Sequence, residues 1–369
     1  MKERVAVAMS GGVDSSVAAA LLKQQGYEVI GMTMRFGPFH YDKEIAGYYG
    51  IKSLEDSRRV TRKLGIKHYI LDFTDYFRDR IVRDFYREYL KGRTPNPCVR
   101  CNQYIKFGVL MNEAFLKDAE FLATGHYARI EKVTKSPACR TGRQGHKVTR
   151  YLLRKAGDLK KDQSYFLYRL NQKQLSHILF PLSDYTKEEV RKIAGEFDLP
   201  VADKSDSQEI CFLGSADYRE FLKMGINFRY KPGYIVDKNG KIIGEHKGIP
   251  FYTIGQRQGL GIALGYPAYV TKIDSKTNQI TLGNKEDCYK SEFFIKKPYF
   301  ISKILKKKIA VRVRIRYNHR EAEASLTISQ RSVRVSFKKP QFAITPGQSA
   351  VFYKEDIVLG GGVIDKVLG

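Results

Sequence analysis

The chain has 369 residues, of which 65 are lysine or arginine and 39 are aspartate or glutamate, so its formal net charge is +26. This length predicts two or three domains, and a hydrophobic share of 43% is enough to form their cores. The positive charge favours a polyanionic partner, either nucleic acid or an anionic membrane surface. No apolar run reaches the roughly 18 residues of a membrane-spanning helix, so nucleic acid is the stronger candidate.

The N-terminus and the cysteines indicate the compartment. The first apolar stretch ends after Met9, which is too short for a secretory signal. Five cysteines, an odd number in a long chain, favour chemistry in a reducing compartment over a disulfide framework. We therefore expect a cytoplasmic protein with no membrane partner.

Residues 10–16, S-G-G-V-D-S-S, lie between a predicted strand and a predicted helix. Arg4–Ala8 is short, apolar and rich in valine, as buried parallel strands are, and residues 15–25 have helically spaced apolar side chains. Glycines let backbone N–H groups approach a ligand, and a helix start favours negative charge, so a phosphate-binding loop is predicted. The loop has no lysine, unlike G-x-x-x-x-G-K-[ST]. We expect it to hold a pyrophosphate leaving group, with Asp14 near a magnesium ion.

This segment resembles the PP-loop of the ATP pyrophosphatase superfamily, whose members adenylate a carbonyl oxygen and release pyrophosphate. The following residues fit such a domain. Strands are predicted at 27–34, 68–71 and 121–124, and helices at 53–64, with Ser53 as cap, and at 76–90. This alternation predicts an α/β fold with a doubly wound parallel sheet, whose ligands bind at the carboxyl ends of the strands. Residues 36–50 and 131–149 lack periodicity and are predicted to be loops.

A C-x-x-C pair, Cys98 and Cys101, follows two prolines in G-R-T-P-N-P-C-V-R-C-N. The prolines predict a rigid loop, with a helix only from about residue 104. The spacing alone fits half of a zinc site, a redox pair, or a nucleophile with a neighbour. Arg93, Arg100 and the helix start would favour thiolate. The other cysteines have no C-x-x-C partner: Cys139, Cys211 and Cys288.

From about residue 217 the chain changes character. The stretch to 283 is rich in glycine and proline with short strands, and the remainder has the short strands of a small barrel. Val311, Val313 and Ile315 alternate with three arginines, which would project about 7 Å apart along one strand and match the phosphates of a nucleic acid. A charged edge strand that avoids aggregation is the alternative interpretation.

Taken together, the motifs resemble the tRNA-specific 2-thiouridylase family, which replaces the 2-oxygen of the wobble uridine with sulfur. The resemblance runs along the whole chain and implies a PP-loop domain over 1–216, a small central domain over 217–285 and a C-terminal β-barrel over 286–369. The last two would bind tRNA. The matching stretches are residues 10–16, 92–107, 123–129, 161–167, 207–212, 252–260, 314–317 and 346–353.

The resemblance also implies roles for individual residues. Asp14, Cys101 as nucleophile and Cys211 as persulfide carrier would be catalytic, and Asn96, Pro97 and Cys98 would touch the target base. ATP would be bound by Ala8, Met9, Ser10, Gly11, Gly12, Val13, Asp14, Ser15, Met34 and Gly125. Transfer RNA would be contacted by His126, Lys161, Asp162, Gln163, Arg316, Tyr317 and Gln348.

The implied reaction uses ATP and Mg²⁺ to adenylate the uridine 2-oxygen, after which sulfur displaces AMP and a Cys101–Cys211 disulfide closes the cycle. A cysteine desulfurase or sulfur-carrier protein would reload Cys211, and the substrates would be tRNAs of the lysine, glutamate and glutamine type. Cys98 stands where many relatives have aspartate. This leaves open a variant in which Cys98, Cys101 and Cys211 ligate a [4Fe–4S] cluster that holds the sulfur.

Two other function classes remain. A PP-loop synthetase acting on a small metabolite would need neither the charge of +26 nor the paired cysteines. A non-catalytic RNA-binding protein with a relic nucleotide fold would not need an intact S-G-G-V-D-S-S loop. Binding of tRNA at moderate salt separates the first of these from a thiouridylase.

Overall fold

The computed structural model describes residues 2–37, 43–135, 148–205, 210–213, 217–225, 230–262, 264–302 and 306–368. The chain divides into two compact units, each assembled from distant segments. Unit 1 comprises Met1–Phe77, Val99–Gly214 and Glu355–Leu359. Unit 2 comprises Arg78–Cys98, Ser215–Lys354 and Gly360–Gly369.

Helices occur mainly in unit 1. Two π-helical stretches, Arg78–Val82 and Asn102–Leu110, join α3 to α4 and α5 to α6, and short 3-10 turns cover Ser164–Phe166, Ile249–Phe251 and Glu286–Cys288. The α-helices are α1 Val13–Gln24, α2 Lys43–Lys63, α3 Thr74–Phe77, α4 Arg83–Leu90, α5 Pro97–Cys101, α6 Met111–Phe115, α7 Gln172–Leu175, α8 Lys187–Glu196 and α9 Tyr218–Lys223.

The strands of unit 1 form a parallel sheet and an antiparallel hairpin, whose strand β6 also pairs with Ile357. The sheet has the order β3-β2-β1-β4-β7, with every neighbouring pair parallel, which confirms the predicted α/β class. The strands are β1 Arg4–Ala8, β2 Glu28–Arg35, β3 Lys67–Asp72, β4 Phe121–Ala123, β5 Arg129–Lys135, β6 Val148–Arg154 and β7 Ile178–Leu179.

The core of unit 1 lies against β1. Helix α1 buries one apolar side, including Val17, Ala18 and Leu21, and packs beside Val190 and Ala194 of α8. Each fully buried leucine or valine side chain stabilises the fold by about 1.5–3 kcal/mol relative to exposure. The packing therefore fixes the end of β1 and the start of α1, which are the two sides of the loop at residues 10–16.

Two sequence-based assignments in this unit were wrong. Helix α2 begins at Lys43, so Ser53 is not its cap but an interior residue whose carbonyl accepts a hydrogen bond from the Ser57 hydroxyl at 2.8 Å. Glycine and tyrosine weaken the periodicity of this stretch, yet it has no proline, so a helix can extend through it. Residues 38–42 of the predicted loop lie outside the described residues.

Both ends of the predicted loop at 131–149 belong to strands, whereas residues 136–147 lie outside the described residues. Strands β5 and β6 pair antiparallel from Arg129↔Arg154 to Lys135↔Val148. Most side chains of β6 are at least partly exposed, so no apolar alternation marks it in the sequence. Cys139, which falls between the two strands, lies outside the described residues.

Unit 2 contains a four-stranded sheet of order β10-β11-β8-β9 and a six-stranded barrel. The sheet strands are β8 Gly233–Val236, β9 Ile242–His246, β10 Tyr269–Asp274 and β11 Gln279–Gly283. The barrel has the order β12-β16-β15-β14-β17-β18, and β12 pairs with β18 to close it. Its strands, with β13 at the side, are β12 Tyr289–Lys296, β13 Tyr299–Phe300, β14 Lys308–Arg314, β15 Ala322–Ile328, β16 Ser332–Phe342, β17 Ser349–Lys354 and β18 Ile357–Leu368.

Across the described ranges, no helix has the length and apolar character needed to cross a membrane.

Candidate active site

The loop at residues 10–16 is the turn from β1 into α1, as the sequence predicted. Gly11 has φ +70°, and a Cβ built on it would lie 2.3 Å from the Ser53 carbonyl oxygen, so no larger residue fits. Helix α1 starts after Gly12 without a side-chain cap. An uncapped helix start presents backbone N–H groups and partial positive charge, which suits a phosphate.

Serine side chains hold the loop in shape. The Ser15 hydroxyl accepts a hydrogen bond from the Ser10 N–H at 3.2 Å and donates to the Gly12 carbonyl at 3.1 Å. The Ser16 hydroxyl also donates to the Gly12 carbonyl, at 2.8 Å. These hydrogen bonds within the chain fix the backbone of the loop.

Two other predicted ATP residues lie at the same edge of the sheet. A Cβ on Gly125 would lie 2.7 Å from the Ser15 nitrogen, so Gly125 packs directly on the loop. Met34 is half-buried near the end of β2, the strand beside β1, where Ala8 pairs with Met32. Met9 is buried below the loop, and its N–H donates to the Met32 carbonyl at 2.8 Å.

Two lysines reach the loop from distant parts of the chain. Lys187, at the start of α8, places Nζ 2.6 Å from Oδ1 of Asp14, and its side chain is only 9% exposed. Lys204 donates to the Gly11 carbonyl at 2.8 Å and forms an ion pair with Asp56 at 2.6 Å. The loop has no lysine of its own, yet the fold supplies two.

Sequence reasoning missed both lysines, although one signal was present. A lysine at the first position of a helix opposes the helix dipole, which makes Lys187 unusual at the start of α8. An unfavourable charge at such a position is a reason to look for a buried carboxylate partner. Nothing local distinguishes Lys204.

Asp162 and Gln163 of the K-D-Q motif form hydrogen bonds inside unit 1. The Asp162 carboxylate is buried and accepts hydrogen bonds from the Ala156 and Ser164 N–H groups, each at 3.2 Å. Gln163 Oε1 accepts from the Tyr127 N–H at 3.1 Å, and the Tyr127 hydroxyl donates to Oδ1 of Asp14 at 2.8 Å. Of the predicted tRNA contacts Lys161, Asp162 and Gln163, the last two are thus internal supports of Tyr127 and its neighbours.

The C-x-x-C pair lies in a helix, which corrects the predicted loop. Helix α5 begins at Pro97 and ends at Cys101, and the chain continues helically to Phe115. Proline is tolerated in the first turn of a helix, because the N–H it lacks has no partner there, so Pro97 starts the helix instead of preventing it. Cys101 is buried with 8% exposure, whereas Cys98 is partly exposed.

Cys211 lies in unit 1 with Cys101, and both are free thiols. Cys211 has an exposed face, yet desolvation by the atoms around it raises the pKa of the thiol, and the charge of Lys106 acts against that rise. Lys106 belongs to the matched stretch 92–107 but was not singled out from the sequence.

His126, a predicted tRNA contact, is buried. Its Nδ1 lies 2.7 Å from the Thr124 hydroxyl and its Nε2 lies 3.4 Å from Nζ of Lys106. Burial, and then the charge of Lys106, lower the pKa of His126 well below its ordinary value. A neutral, enclosed imidazole links Thr124, at the end of β4, to Lys106.

The arginine row of the barrel follows the prediction only in part. Arg312 and Arg314 lie on β14, but the strand ends at Arg314, so Arg316 and Tyr317 lie beyond it. Arg312 is exposed and forms an ion pair with Glu321 at 3.5 Å, and Arg316 donates to the Phe342 carbonyl at 3.0 Å. Regular spacing of three arginines along one strand was therefore wrong.

Two further predictions concern the residues at the target base and those of a metal cluster. Asn96 is partly exposed and Pro97 is buried, and both lie in the segment entering α5. Within the described part of the chain, no three His, Cys, Asp or Glu side chains are arranged to hold a metal ion. The cluster on Cys98, Cys101 and Cys211 stays a prediction.

Three family models match the chain in succession. They are a tRNA methyl transferase HUP domain over residues 3–215, a tRNA methyl transferase PRC-barrel domain over 219–284 and an aminomethyltransferase β-barrel domain over 290–364. The parallel sheet, the four-stranded sheet and the barrel agree with this order and confirm the predicted fold class.

Full-length relatives are similar to the chain. The tRNA-specific 2-thiouridylase MnmA 2 of Thermoanaerobacter pseudethanolicus is 49% identical over 373 residues, covering 100% of this chain and 99% of the relative. The tRNA-specific 2-thiouridylase MnmA of Clostridium beijerinckii is 46% identical, covering 100% of both. That of Acetivibrio thermocellus is 47% identical, covering 98% of this chain and 99% of the relative. With matches of this extent, the chain belongs to the tRNA-specific 2-thiouridylase family.

Proposed function

We propose that the protein adenylates the 2-oxygen of the wobble uridine with ATP and replaces it with sulfur carried as a persulfide on Cys211. As a member of its family the chain is a tRNA sulfurtransferase, and its PP-loop domain uses ATP. The observation that carries the proposal is that one compact unit holds the glycine-rich turn before the uncapped start of α1, the charged groups around Asp14, and both Cys101 and Cys211.

The first step forms a bond between the uridine 2-oxygen and the α-phosphorus of ATP and breaks the bond to the β-phosphate, which releases pyrophosphate. The uncapped start of α1 and the glycines at 11 and 12 would hold the leaving pyrophosphate. Lys187 adds a positive charge at the same place, where it can stabilise the negative charge that develops. Lys187, which is distant in the sequence, would thus supply the positive charge that other phosphate-binding loops obtain from a lysine within the loop.

The Asp14 carboxylate is suited to bind a magnesium ion. Both contacts of its carboxylate, with Lys187 and Tyr127, are to Oδ1, and its side chain is 33% exposed. The second oxygen, Oδ2, accepts no hydrogen bond from the part of the chain that the structure describes. When bound, Mg²⁺ would neutralise charge on the phosphates, and Lys187 and Tyr127 would keep the carboxylate in place for it.

The second step moves sulfur. The Cys101 thiolate attacks the Cys211 sulfur of the persulfide, so that the Cys101–Cys211 disulfide forms and hydrosulfide leaves. Hydrosulfide then attacks C2 of the adenylated uridine, and AMP departs with the former 2-oxygen. A thiol reductant must supply two electrons to restore both cysteines. Lys106 supports thiolate at Cys211 and would help it accept sulfur from a donor.

The partners follow from this chemistry. Cys211 must be reloaded with sulfane sulfur, so we infer a cysteine desulfurase or sulfur-carrier protein as donor. The exposed face of Cys211 supports transfer from another protein. The substrates we infer are tRNAs of the lysine, glutamate and glutamine type, and the remaining predicted contacts, Lys161, Arg316 and Tyr317, would help to bind them.

The test is tRNA-dependent release of pyrophosphate from ATP. We expect release with an unmodified substrate tRNA, none without RNA, and a loss of at least about tenfold in Asp14→Asn, with tRNA affinity nearly unchanged. Glu120→Gln, which alters an exposed carboxylate of the same unit, is the matched control. Pyrophosphate release without RNA but with a small carboxylate or carbonyl metabolite would instead support a synthetase, and full release by Asp14→Asn would contradict the role of the loop.

A further inference from the structure

The stretch that leads into residues 96–98 is held by contacts on several sides within unit 2. Residues 93–95 precede Asn96, Pro97 and Cys98, to which we assign the contact with the target base. Pro95 and Pro97 have no N–H, so this stretch can form few hydrogen bonds of its own. Its carbonyl groups need donors from elsewhere.

Gln348, between strands β16 and β17 of the barrel, supplies those donors. Its Nε2 lies 3.1 Å from the Thr94 carbonyl oxygen and 3.1 Å from the Pro95 carbonyl oxygen. The Thr94 N–H in turn donates to the Pro346 carbonyl at 2.9 Å. The side-chain amide of Gln348 therefore donates hydrogen bonds to the backbone of two consecutive residues.

Close packing accompanies these hydrogen bonds. Gly347 has φ +96°, and a Cβ there would lie 2.8 Å from the Thr94 carbonyl oxygen and 2.9 Å from its nitrogen. Any side chain would push Thr94 away from the barrel. On another side, the Thr94 hydroxyl donates to the Thr253 hydroxyl at 3.2 Å.

Arg93 fastens the start of the stretch. Its guanidinium donates to the Ile364 carbonyl at 3.0 Å and forms an ion pair with Glu88 at 2.7 Å, and it lies 3.4 Å from Asp365. The side chain is 21% exposed. These contacts hold the Arg93 side chain against Glu88 and strand β18.

We propose that Gln348 is a positioning residue, which holds the backbone of Thr94 and Pro95 so that the barrel sets the placement of the target-base residues Asn96 and Cys98. This inference rests on the proposed function for what the segment binds. It changes the predicted role of Gln348, because a side chain whose amide hydrogens bond two carbonyl groups is not free to donate them to RNA.

The first test measures tRNA affinity and thiolation rate separately in Gln348→Met, which keeps the length of the side chain and removes the donor. We expect a dissociation constant within about twofold of the wild type and a single-turnover rate at saturating tRNA at least about tenfold lower, because a displaced segment misplaces the reacting base. Gln330→Met, which removes an exposed amide from the same barrel, is the control and should match the wild type. Weaker tRNA binding with an unchanged rate at saturation would overturn the proposal in favour of direct contact.

The second test does not depend on thiolation. We expect Cys98 to be alkylated several-fold faster in Gln348→Met and in Gln348→Glu, measured by peptide mass spectrometry, because the loosened segment exposes the thiol. The glutamate variant keeps the shape and places an acceptor against two carbonyl oxygens, and thermal unfolding verifies that both variants fold. Unchanged alkylation of Cys98 in a folded variant would overturn the positioning role, whereas faster alkylation in an enzyme that makes no 2-thiouridine would leave positioning intact and reject the proposed function.

Discussion

Lys106 interacts with two groups of the proposed active site, the imidazole of His126 and the thiol of Cys211. Its ammonium group lies 3.4 Å from Nε2 of His126, and its charge lowers the pKa of the Cys211 thiol against the stronger effect of desolvation. Persulfide transfer needs a thiolate, so this lysine favours the reactive form of Cys211 near neutral pH.

Replacing Lys106 with methionine should therefore raise the pKa of Cys211 further. We expect the pH profile of Cys211 alkylation by iodoacetamide to move to higher pH and sulfur loading at pH 7.5 to slow. Lys132→Met, in exposed β5, is the control. An unmoved alkylation profile in Lys106→Met would contradict the role of the lysine.

Lys187 carries a second prediction at this scale. Lys187→Met leaves Asp14 without its ion pair and removes positive charge from the cradle, so pyrophosphate release should fall by at least about tenfold. Tyr127→Phe, which removes one hydrogen bond to the same oxygen, should have a smaller effect, because the ion pair remains. Equal rates for Lys187→Met and the wild type would show that the charge contributes nothing to the reaction.

At the scale of elements, the turn between β1 and α1 depends on one glycine for two reasons. Gly11 has a left-handed backbone, and its α-carbon faces the Ser53 carbonyl of α2, where a Cβ would lie 2.3 Å away. Gly26 also has a left-handed backbone, at φ +93°, but nothing lies within 4 Å of a Cβ built there.

A comparison of Gly11→Ala with Gly26→Ala separates the effect of a left-handed backbone, which both variants share, from the effect of a steric clash with α2, which only Gly11→Ala has. Both should lose about 1–2 kcal/mol of stability from the left-handed conformation. Only Gly11→Ala should also lose ATP binding, because the loop must move away from α2; equilibrium binding of ATP and thermal unfolding measure the two effects. Retained ATP affinity in Gly11→Ala would show that the geometry of this turn does not control ATP binding.

Elements that depend on neighbouring residues could be predicted from the sequence, whereas contacts between residues distant in the sequence could not. The strand Arg4–Ala8 and the loop after it were found because their apolar residues, glycines and serines all lie within residues 4–16. Helix α5 was missed because proline usually interrupts a helix, whereas Pro97 occupies the first turn, where proline is tolerated. Lys187, Lys204 and Gln348 act across 173, 193 and 254 positions of sequence, and only the fold brings them to their partners.

At the scale of the whole molecule, the charge of +26 predicts how tRNA binds. Contacts between lysine or arginine and phosphate release counterions, so affinity should fall linearly on a logarithmic plot against salt concentration. About six such contacts would weaken binding roughly a thousandfold between 50 and 200 mM salt. Filter binding of tRNA over that range measures the slope, and an affinity indifferent to salt would contradict an electrostatic RNA surface.

The barrel carries a prediction about acid stability. Desolvation, and then the charges of Arg316 and Arg314, lower the pKa of His319 to about 4, and its Nδ1 is buried with no partner among the described residues. The unfolded chain has the ordinary pKa of about 6.5 and therefore binds a proton first as the pH falls. The contribution of His319 to stability is thus present above pH 6.5 and lost between pH 6.5 and 4, by at most about 3 kcal/mol, because solvent around this partly exposed side chain screens the charges.

Thermal unfolding across pH 7.5 to 4.5 tests this contribution. The unfolding temperature of His319→Gln should fall less steeply with acid than that of the wild type, because glutamine does not titrate. Parallel curves for the two proteins would show that His319 is accessible to protons in the folded barrel.

The most direct test of the account is mass spectrometry of nucleosides from an unmodified substrate tRNA, after incubation with the protein, ATP, magnesium and a persulfide donor. We predict 2-thiouridine at the wobble position that requires ATP and disappears in Cys101→Ser and in Cys211→Ser, while Cys288→Ala, which changes a buried cysteine of unit 2, retains it. Thiolation that persists in Cys211→Ser, or cleavage of ATP with no sulfur entering the RNA under these conditions, would contradict the persulfide pathway proposed for this protein.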